Sequence, residues 1–263
     1  MEAPAKLRYT QAKRAAISLL RCSVSPSAGC VLVRINDQPK GEGAMKYTLY
    51  YAPGAASFAV HWLLVELGAD YEAVRLDLGR NDQHGSHYLR LNPAGKVPTL
   101  VIDDRPHAEA AALLMMIAEL HPERPLVPPP GSPERFDFLQ LYFRLANTLQ
   151  PAFRGWFYPH EPAGPDQAEA VMESARTQIE SEWSRIDARL EGCETFLFGA
   201  ELSVADYLLV MLMRWSRNMP RPAVAWPNIS AYLDRVARIP SLREVHAREN
   251  LPFWPEGSSP RAS

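Results

Sequence analysis

The chain has 263 residues, 47% of them hydrophobic and 22% charged, which is enough for one large core or two modest ones. Its formal net charge is −2, but from Met45 onward 21 Lys and Arg residues face 27 Asp and Glu residues. Because nucleic acids are bound through clustered basic side chains, this acidic body argues against a nucleic-acid-binding protein. No apolar run reaches about 18 residues, so no membrane span is predicted.

The three cysteines also limit the kinds of site. Cys22, Cys30 and Cys193 do not have the spacing of metal ligands, and their number does not indicate a disulfide framework. We therefore predict a cytoplasmic protein without a bound metal.

Residues 1–44 differ in composition from the rest, because they are basic and rich in serine around a short apolar patch. They could be a transit peptide or a weak secretory signal. A third interpretation is favoured, in which Gly41, Glu42 and Gly43 are encoded by a purine-rich ribosome-binding site just before Met45. On that interpretation the native chain starts at Met45, and residues 1–44 are a mis-called start that is predicted to be disordered.

Regular elements begin after Met45. Residues 47–51 form a β-rich run, which Pro53 and Gly54 interrupt. Ser57 can cap a helix whose apolar residues recur at helical spacing up to Gly68. The next predicted elements are a strand at 71–76, a short helix within 81–91, strands at 99–102 and 107–108, and a helix at 109–120.

Residues 92–100 stand out, because two prolines and a glycine interrupt an otherwise apolar passage. Pro98 precedes a β-favouring run, so it marks the first residue of a strand, where a missing N–H is tolerated. A cis Val97–Pro98 bond would turn the Val97 N–H and C=O outward, free to pair with an extended ligand. The alternative is an ordinary loop that enters a strand.

The order βαβ and then ββα predicts a small mixed sheet with helices on both faces, a thioredoxin-like module at residues 45–122. A proline-rich linker is predicted at 123–134 and a disordered tail at 255–263. Between them, residues 135–254 are predicted to be wholly helical. Ser203 and Asp206 have the spacing of a capping box at the start of a buried helix.

Two motifs resemble the glutathione S-transferase family. Residues 92–98, Asn-Pro-x-Gly-x-Val-Pro, are similar to the cis-proline loop of that family, and the Ser203 and Asp206 pair after Phe198-Gly199 is similar to its N-capping box. The resemblance covers Met45 to Trp254, and residues 50–57 look most like bacterial beta-type members. It implies an α/β thioredoxin-like N-terminal module plus an all-α C-terminal module, a homodimer, and glutathione as co-substrate.

The resemblance implies chemistry that makes a thiolate from a thiol whose pKa is about 8.5. Ser57 is the first catalytic candidate, because a hydroxyl at a helix N-terminus can donate to the sulfur where the helix dipole favours an anion. Ser57 could equally serve only as a cap. Tyr51 is the second candidate, at the position of the beta-type tyrosine. Beta-type members often carry a cysteine at position 56, and Ala56 here makes a covalent glutathione adduct doubtful.

For binding, the resemblance implies that the Val97 backbone, beside Pro98, pairs with the cysteinyl part of glutathione. It also implies that Glu109 accepts from the γ-glutamyl amine, while Lys96 could add a cation near the glycine carboxylate. The residue after Glu109 is commonly Ser or Thr, but Ala110 leaves only a backbone N–H for the γ-glutamyl carboxylate. Losing one charge-assisted hydrogen bond costs roughly 1.5–3 kcal/mol.

The acceptor site is predicted between the two modules, with most of its aromatic candidates expected to be core residues. The leading candidates are Tyr142, Gln150 and Phe153, and Gln150 lies near a position where beta-type members often have histidine. The predicted function is conjugation of glutathione to small apolar electrophiles. The alternatives are a glutathione-dependent isomerase or peroxidase on the same fold, and a non-catalytic binding protein that kept the fold.

Overall fold

The computed structural model describes residues 32–35, as a backbone strand, and residues 46–254. The predictions for the leader and for the 255–263 tail therefore lie largely outside the described residues. The exception is Leu32–Ile35, which forms strand β1. The prediction of a disordered leader did not foresee this strand, because its pairing partner lies in the N-terminal module.

The N-terminal module contains the mixed sheet that the sequence predicts. Its elements are β2 (Tyr47–Tyr51), α1 (Ser57–Glu66), β3 (Tyr71–Arg75), α2 (Ser86–Leu91), β4 (Thr99–Ile102), β5 (Arg105–Ala108) and α3 (Ala110–Leu120). The strand order is β1-β3-β2-β4-β5. Strands β2 and β3 are parallel and are joined through α1, whereas β1 with β3, β2 with β4, and β4 with β5 are antiparallel.

Helix α1 is the element that connects the two modules. Every one of its residues up to Val65 is buried, because the sheet and α3 cover part of its surface and helices of the C-terminal module cover the rest. A helix that is buried all round has no polar stripe, and this explains why the sequence of α1 is apolar almost throughout.

The C-terminal module is helical throughout. Its helices are α4 (Glu134–Arg144), α5 (Gln150–Phe157), α6 (His160–Ala163), α7 (Ala168–Arg189), α8 (Val204–Trp215), α9 (Pro227–Val236) and α10 (Pro240–Arg248). Helices α4 and α5 are joined by a π-helical turn, Leu145–Leu149. Pro151 follows directly, and its missing N–H interrupts the regular hydrogen-bond pattern there.

Helix α8 forms the centre of the C-terminal core, and its predicted capping box is confirmed. The Asp206 carboxylate accepts from the Ser203 N–H at 2.8 Å and from the Ser203 hydroxyl at 2.6 Å. It also accepts from the Leu197 N–H and the Tyr232 hydroxyl. Burial raises the pKa of Asp206, while these hydrogen bonds act in the opposite direction.

Within residues 46–254, none of the helices is both long and apolar enough to cross a bilayer.

Candidate functional site

The cis-proline loop, residues 92–98, is held from within its own module. The Val97–Pro98 bond is cis, as predicted. The Lys96 carbonyl accepts from the Tyr88 hydroxyl at 2.6 Å and from Asn92 Nδ2 at 2.7 Å, and the Gly95 N–H donates to the Asn92 carbonyl at 3.0 Å. These bonds fix the backbone just before the proline.

Val97 keeps its polar backbone groups available. Its side chain is half-buried, and among the described residues neither its N–H nor its C=O makes a hydrogen bond. The side chain of the neighbouring Lys96 is exposed. An extended ligand could therefore pair with the Val97 backbone as a short strand pairs with a sheet edge.

The strand register places three of the predicted site residues side by side, at the same end of strands β2, β4 and β5. Thr99 pairs with Tyr50 on one side and with Ala108 on the other. One residue further along each strand, Tyr51, Pro98 and Glu109 therefore lie next to each other. The sequence predicted these three residues separately, and the sheet places them together.

Glu109 lies at the N-cap of α3 with a backbone that non-glycine residues rarely adopt, at φ 71° and ψ 106°. Its side chain is exposed, beside the free N–H groups of the first turn of α3. Ala110 is buried as the first residue of that helix. This corner therefore offers a carboxylate to a cation and backbone N–H groups to an anion.

The 52–57 loop connects β2 to α1, and Ser57 closes it. Ala56, not Ser57, is the N-cap of α1, and no side chain caps the helix there, so the prediction that Ser57 caps this helix is wrong. The Ser57 hydroxyl instead donates to the Ala52 carbonyl at 3.1 Å and accepts from the Ala52 N–H at 3.2 Å. Ser57 has no exposed surface, so contact with a thiol requires its hydroxyl to leave Ala52.

Tyr51 lies at the end of β2 with 5% of its surface exposed, and its ring packs on His61 with the centroids 5.0 Å apart. Burial raises the pKa of Tyr51, and the Glu249 charge raises it further, while Arg75 lowers it. A phenol with a raised pKa keeps its proton at neutral pH. Tyr51 can therefore act as a hydrogen-bond donor.

Two of the three acceptor-site candidates lie in the core. Tyr142 is buried, donates its hydroxyl to the Ala111 carbonyl, and has a pKa that burial raises far above its usual range. Phe153 is fully buried and packs against aromatic rings that include Trp183 and Trp215. Gln150 is half-buried at the start of α5 and keeps accessible surface.

Two contacts to the 52–57 loop escaped the sequence analysis. The Gly54 N–H donates to Glu249 Oε2 at 2.7 Å, and Trp215 Nε1 donates to the Gly54 carbonyl at 2.9 Å. Both partners lie in the C-terminal module, more than 150 residues along the chain. Gly54 indicated a turn, but no sequence pattern pairs a turn glycine with a distant carboxylate.

Metal ligands are not grouped in the part of the chain that the structure describes: no three His, Cys, Asp or Glu side chains lie where they could hold an ion. Cys193 is a half-buried free thiol.

Comparisons with known proteins agree with both modules. The family models for the glutathione S-transferase N-terminal and C-terminal domains match residues 45–119 and 145–240. Glutathione S-transferase GstA of Escherichia coli O157:H7 is 29% identical over 205 residues, which are 77% of this chain and 98% of that protein. The similarity in sequence therefore extends over both modules.

Solved structures more than 30% identical to this chain include two from sphingomonads. The bacterial beta-class glutathione S-transferase of Sphingomonas chungbukensis is 32% identical, with a TM-score of 0.68, over 78% of this chain and 100% of its own. A sphingomonad glutathione S-transferase complexed with glutathione is 33% identical, with a TM-score of 0.67 and the same coverage. The N-terminal family model covers Tyr51, Pro98 and Glu109, and we conclude that the chain belongs to the glutathione S-transferase family.

Proposed function

We propose that this chain is a glutathione transferase that conjugates glutathione to small apolar electrophiles. Family membership supports the enzyme class, and the relative complexed with glutathione supports the co-substrate. The observation that carries the proposal is that Tyr51, Pro98 and Glu109 lie next to each other at the ends of three strands, beside the unpaired Val97 backbone.

In this proposal glutathione lies extended across these strand ends. Its cysteinyl unit pairs with the Val97 N–H and C=O, and Glu109 accepts from the γ-glutamyl amine. The N–H groups at Ala110 and the next residues of α3 receive the γ-glutamyl carboxylate, and Lys96 is near the glycine carboxylate. With Ala110 in place of a hydroxyl residue, we expect weaker glutathione binding by about one to two decades in affinity.

A hydrogen-bond donor at the sulfur stabilises the thiolate. The position of Tyr51 beside Pro98 supports Tyr51 as that donor, because a neutral phenol there can donate. Ser57 is the alternative donor, and its bonds to Ala52 support a second role in shaping the loop. The acceptor binds between the modules, where Gln150 is the accessible polar side chain among the candidates.

We also propose that the enzyme is a homodimer. Phe136 and Phe143 lie seven residues apart on one face of α4 and are 67% and 54% exposed. Two large aromatic side chains on one exposed face are typical of an interface. The cytoplasmic location predicted from the cysteine content stays a prediction.

The test is retention on immobilised glutathione, followed by a conjugation assay with a generic aromatic halide. We expect retention and turnover for the native chain, and a loss of turnover of about 10-fold or more in Tyr51→Phe or Ser57→Ala, whichever residue is the donor. Tyr50→Phe is the matched control, because Tyr50 packs on Tyr88 on the other face of the sheet.

The other outcomes separate the alternatives. Retention without conjugation, together with activity on a peroxide or a cis double bond, would identify a peroxidase or an isomerase. Retention without any turnover would identify a binding protein. No retention at millimolar glutathione would exclude the proposal.

A further inference from the structure

The 52–57 loop is held by the C-terminal module, and Gly54 is the residue at which it is held. The Gly54 N–H donates to Glu249, and the Gly54 carbonyl accepts from Trp215. A Cβ atom at Gly54 would lie 2.6 Å from Nη1 of Arg214, and φ is +68° there. Residues from α8 and from the end of α10 therefore meet at one glycine of the candidate site.

Glu249 is itself fixed by a buried hydrogen-bonded chain. Its Oε1 lies 2.8 Å from Nδ1 of His61, and both side chains are almost fully buried. His61 Nε2 lies 2.9 Å from the Tyr71 hydroxyl, which accepts from Arg248 Nη1 at 2.7 Å. The chain therefore runs without interruption from Arg248 to Gly54.

The direction of this chain follows from the chemistry of its ends. A guanidinium can only donate, so the Tyr71 oxygen accepts from Arg248 and its own proton is available to His61 Nε2. A carboxylate can only accept, so Glu249 accepts from His61 Nδ1 and also from the Gly54 N–H. Each polar atom in the chain has a partner in this arrangement. The ring of Tyr51 packs directly on His61, so the chain adjoins the candidate thiol donor as well.

We propose that Glu249 is a positioning residue for the thiol site, which holds the 52–57 loop and the start of α1 in place through Gly54. This inference rests on the proposed function, and it adds that thiol activation depends on the docking of the end of α10. Burying a carboxylate is costly unless it is fully hydrogen-bonded, and here two of its bonds go to α1 and to the loop that precedes it.

The same pair of helices provides a matched control at its other end. Trp62 Nε1 donates to the Ser241 hydroxyl at 2.8 Å, and Ser241 donates to Glu66. These bonds also join α1 to α10, but Glu66 ends α1 at the terminus opposite the 52–57 loop. Ser241→Ala therefore removes a polar contact between the same helices and leaves the loop alone.

The first experiment compares Glu249→Ala, Glu249→Gln and Ser241→Ala in the full chain. The pH dependence of kcat/KM with an aromatic halide and the melting temperature are measured for each. For Glu249→Ala we expect about a 10-fold loss of kcat/KM at neutral pH and a rise of about one unit in the apparent pKa of the bound thiol, with KM changed less than about 3-fold. Glu249→Gln should recover part of the activity, because its amide oxygen can still accept from the Gly54 N–H while its amide nitrogen then faces the His61 Nδ1–H.

Ser241→Ala should lower the melting temperature about as much as Glu249→Ala does, but it should change kcat/KM less than about 2-fold. The proposal is overturned if Glu249→Ala and Ser241→Ala lose activity in parallel and neither changes the pH profile. Should Glu249→Ala not fold, Trp215→Phe takes its place, because it removes the donor to the Gly54 carbonyl. It should move the thiol pKa in the same direction, and an unchanged pKa would count against the proposal.

Hydrogen–deuterium exchange without glutathione separates this inference from the proposed function. The amides of residues 52–57 should exchange at least several-fold faster in Glu249→Ala than in the native chain. In Ser241→Ala their exchange rates should be unchanged. A native chain that fails to conjugate glutathione would remove the proposed function, while the exchange result would still test the contact. Unchanged exchange at Gly54 in Glu249→Ala would overturn the positioning role.

Discussion

Two loops meet at the candidate site, and they are held in different ways. The cis-proline loop is fixed by Tyr88 and Asn92, which lie within eight residues of the Lys96 carbonyl that they bind. The 52–57 loop is fixed at Gly54 by Trp215 and Glu249, 161 and 195 residues away. The loop proposed to bind the backbone of glutathione is therefore fixed within its own module, whereas the loop beside the proposed donors to the sulfur depends on the other module.

The difference has a thermodynamic consequence. A partial opening that separates α10 from α1 would break the bond between Glu249 and Gly54 but leave the bonds around Lys96 intact. Binding and activation of the thiol should therefore respond differently to the same disturbance.

The largest effect is expected at Gly54. In Gly54→Ala the new methyl group meets the Arg214 guanidinium, and the backbone has a positive φ at this residue. We therefore expect the unfolding free energy to fall by about 3 kcal/mol and most of the activity to be lost. Gly68→Ala is the control, because Gly68 has φ +61° but nothing within 4 Å of the added carbon, and should cost about 1 kcal/mol. Urea unfolding measures both, and equal costs would contradict the contact at Gly54.

A smaller effect is expected from acid, through His246. This side chain is buried against Phe58 of α1, and burial, with the Arg214 charge acting in the same direction, lowers its pKa to about 4, while its bond to the Leu242 carbonyl opposes the shift. In the unfolded chain the pKa of this histidine is about 6.5, so between pH 6.5 and pH 4 the unfolded state binds a proton that the folded state does not. The folded state therefore keeps its full stability above pH 6.5 and loses stability as the pH falls towards 4.

At pH 4.5 this loss should amount to about 2 kcal/mol relative to pH 7. The measurement is unfolding free energy against pH, with His246→Phe as the variant that cannot protonate and should show a flatter profile. Hydrogen exchange in acid should rise at residues 52–57 before it rises in the cis-proline loop. Equal rises in both loops would remove the distinction between them.

The smallest effect is expected from Asn92→Ala. It removes the donor to the Lys96 carbonyl and the acceptor of the Ala94 N–H, so the unfolding free energy should fall by about 1 kcal/mol. Calorimetric titration should show glutathione affinity lowered several-fold, with the pKa of the bound thiol unchanged. A shifted thiol pKa in this variant would mean that the two loops do not act separately.

The elements that the sequence predicted well have local causes. The cis-proline loop, the succession of strands and helices from β2 to α3, and the capping box of Ser203 and Asp206 follow from residues that are close in the chain. Ser57 shows the limit of local reasoning, because a serine at a helix start usually caps it, whereas here its hydroxyl binds back to Ala52.

The acceptor candidates show a second limit. Tyr142 and Phe153 have the helical spacing of an aromatic stripe, but only the packing of α3, α7 and α8 around them determines that both are core residues. A periodic pattern identifies the face of a helix that is apolar. It cannot distinguish a face that covers another helix from one that lines a binding site.

The sequence by itself therefore determined the two modules, the family and the cis-proline loop, because these depend on periodicity, turn residues and short motifs. Only the tertiary structure decided what holds the 52–57 loop. The bond between Glu249 and Gly54 forms when α10 packs on α1, and a contact between residues 195 positions apart leaves no periodic signal in one chain.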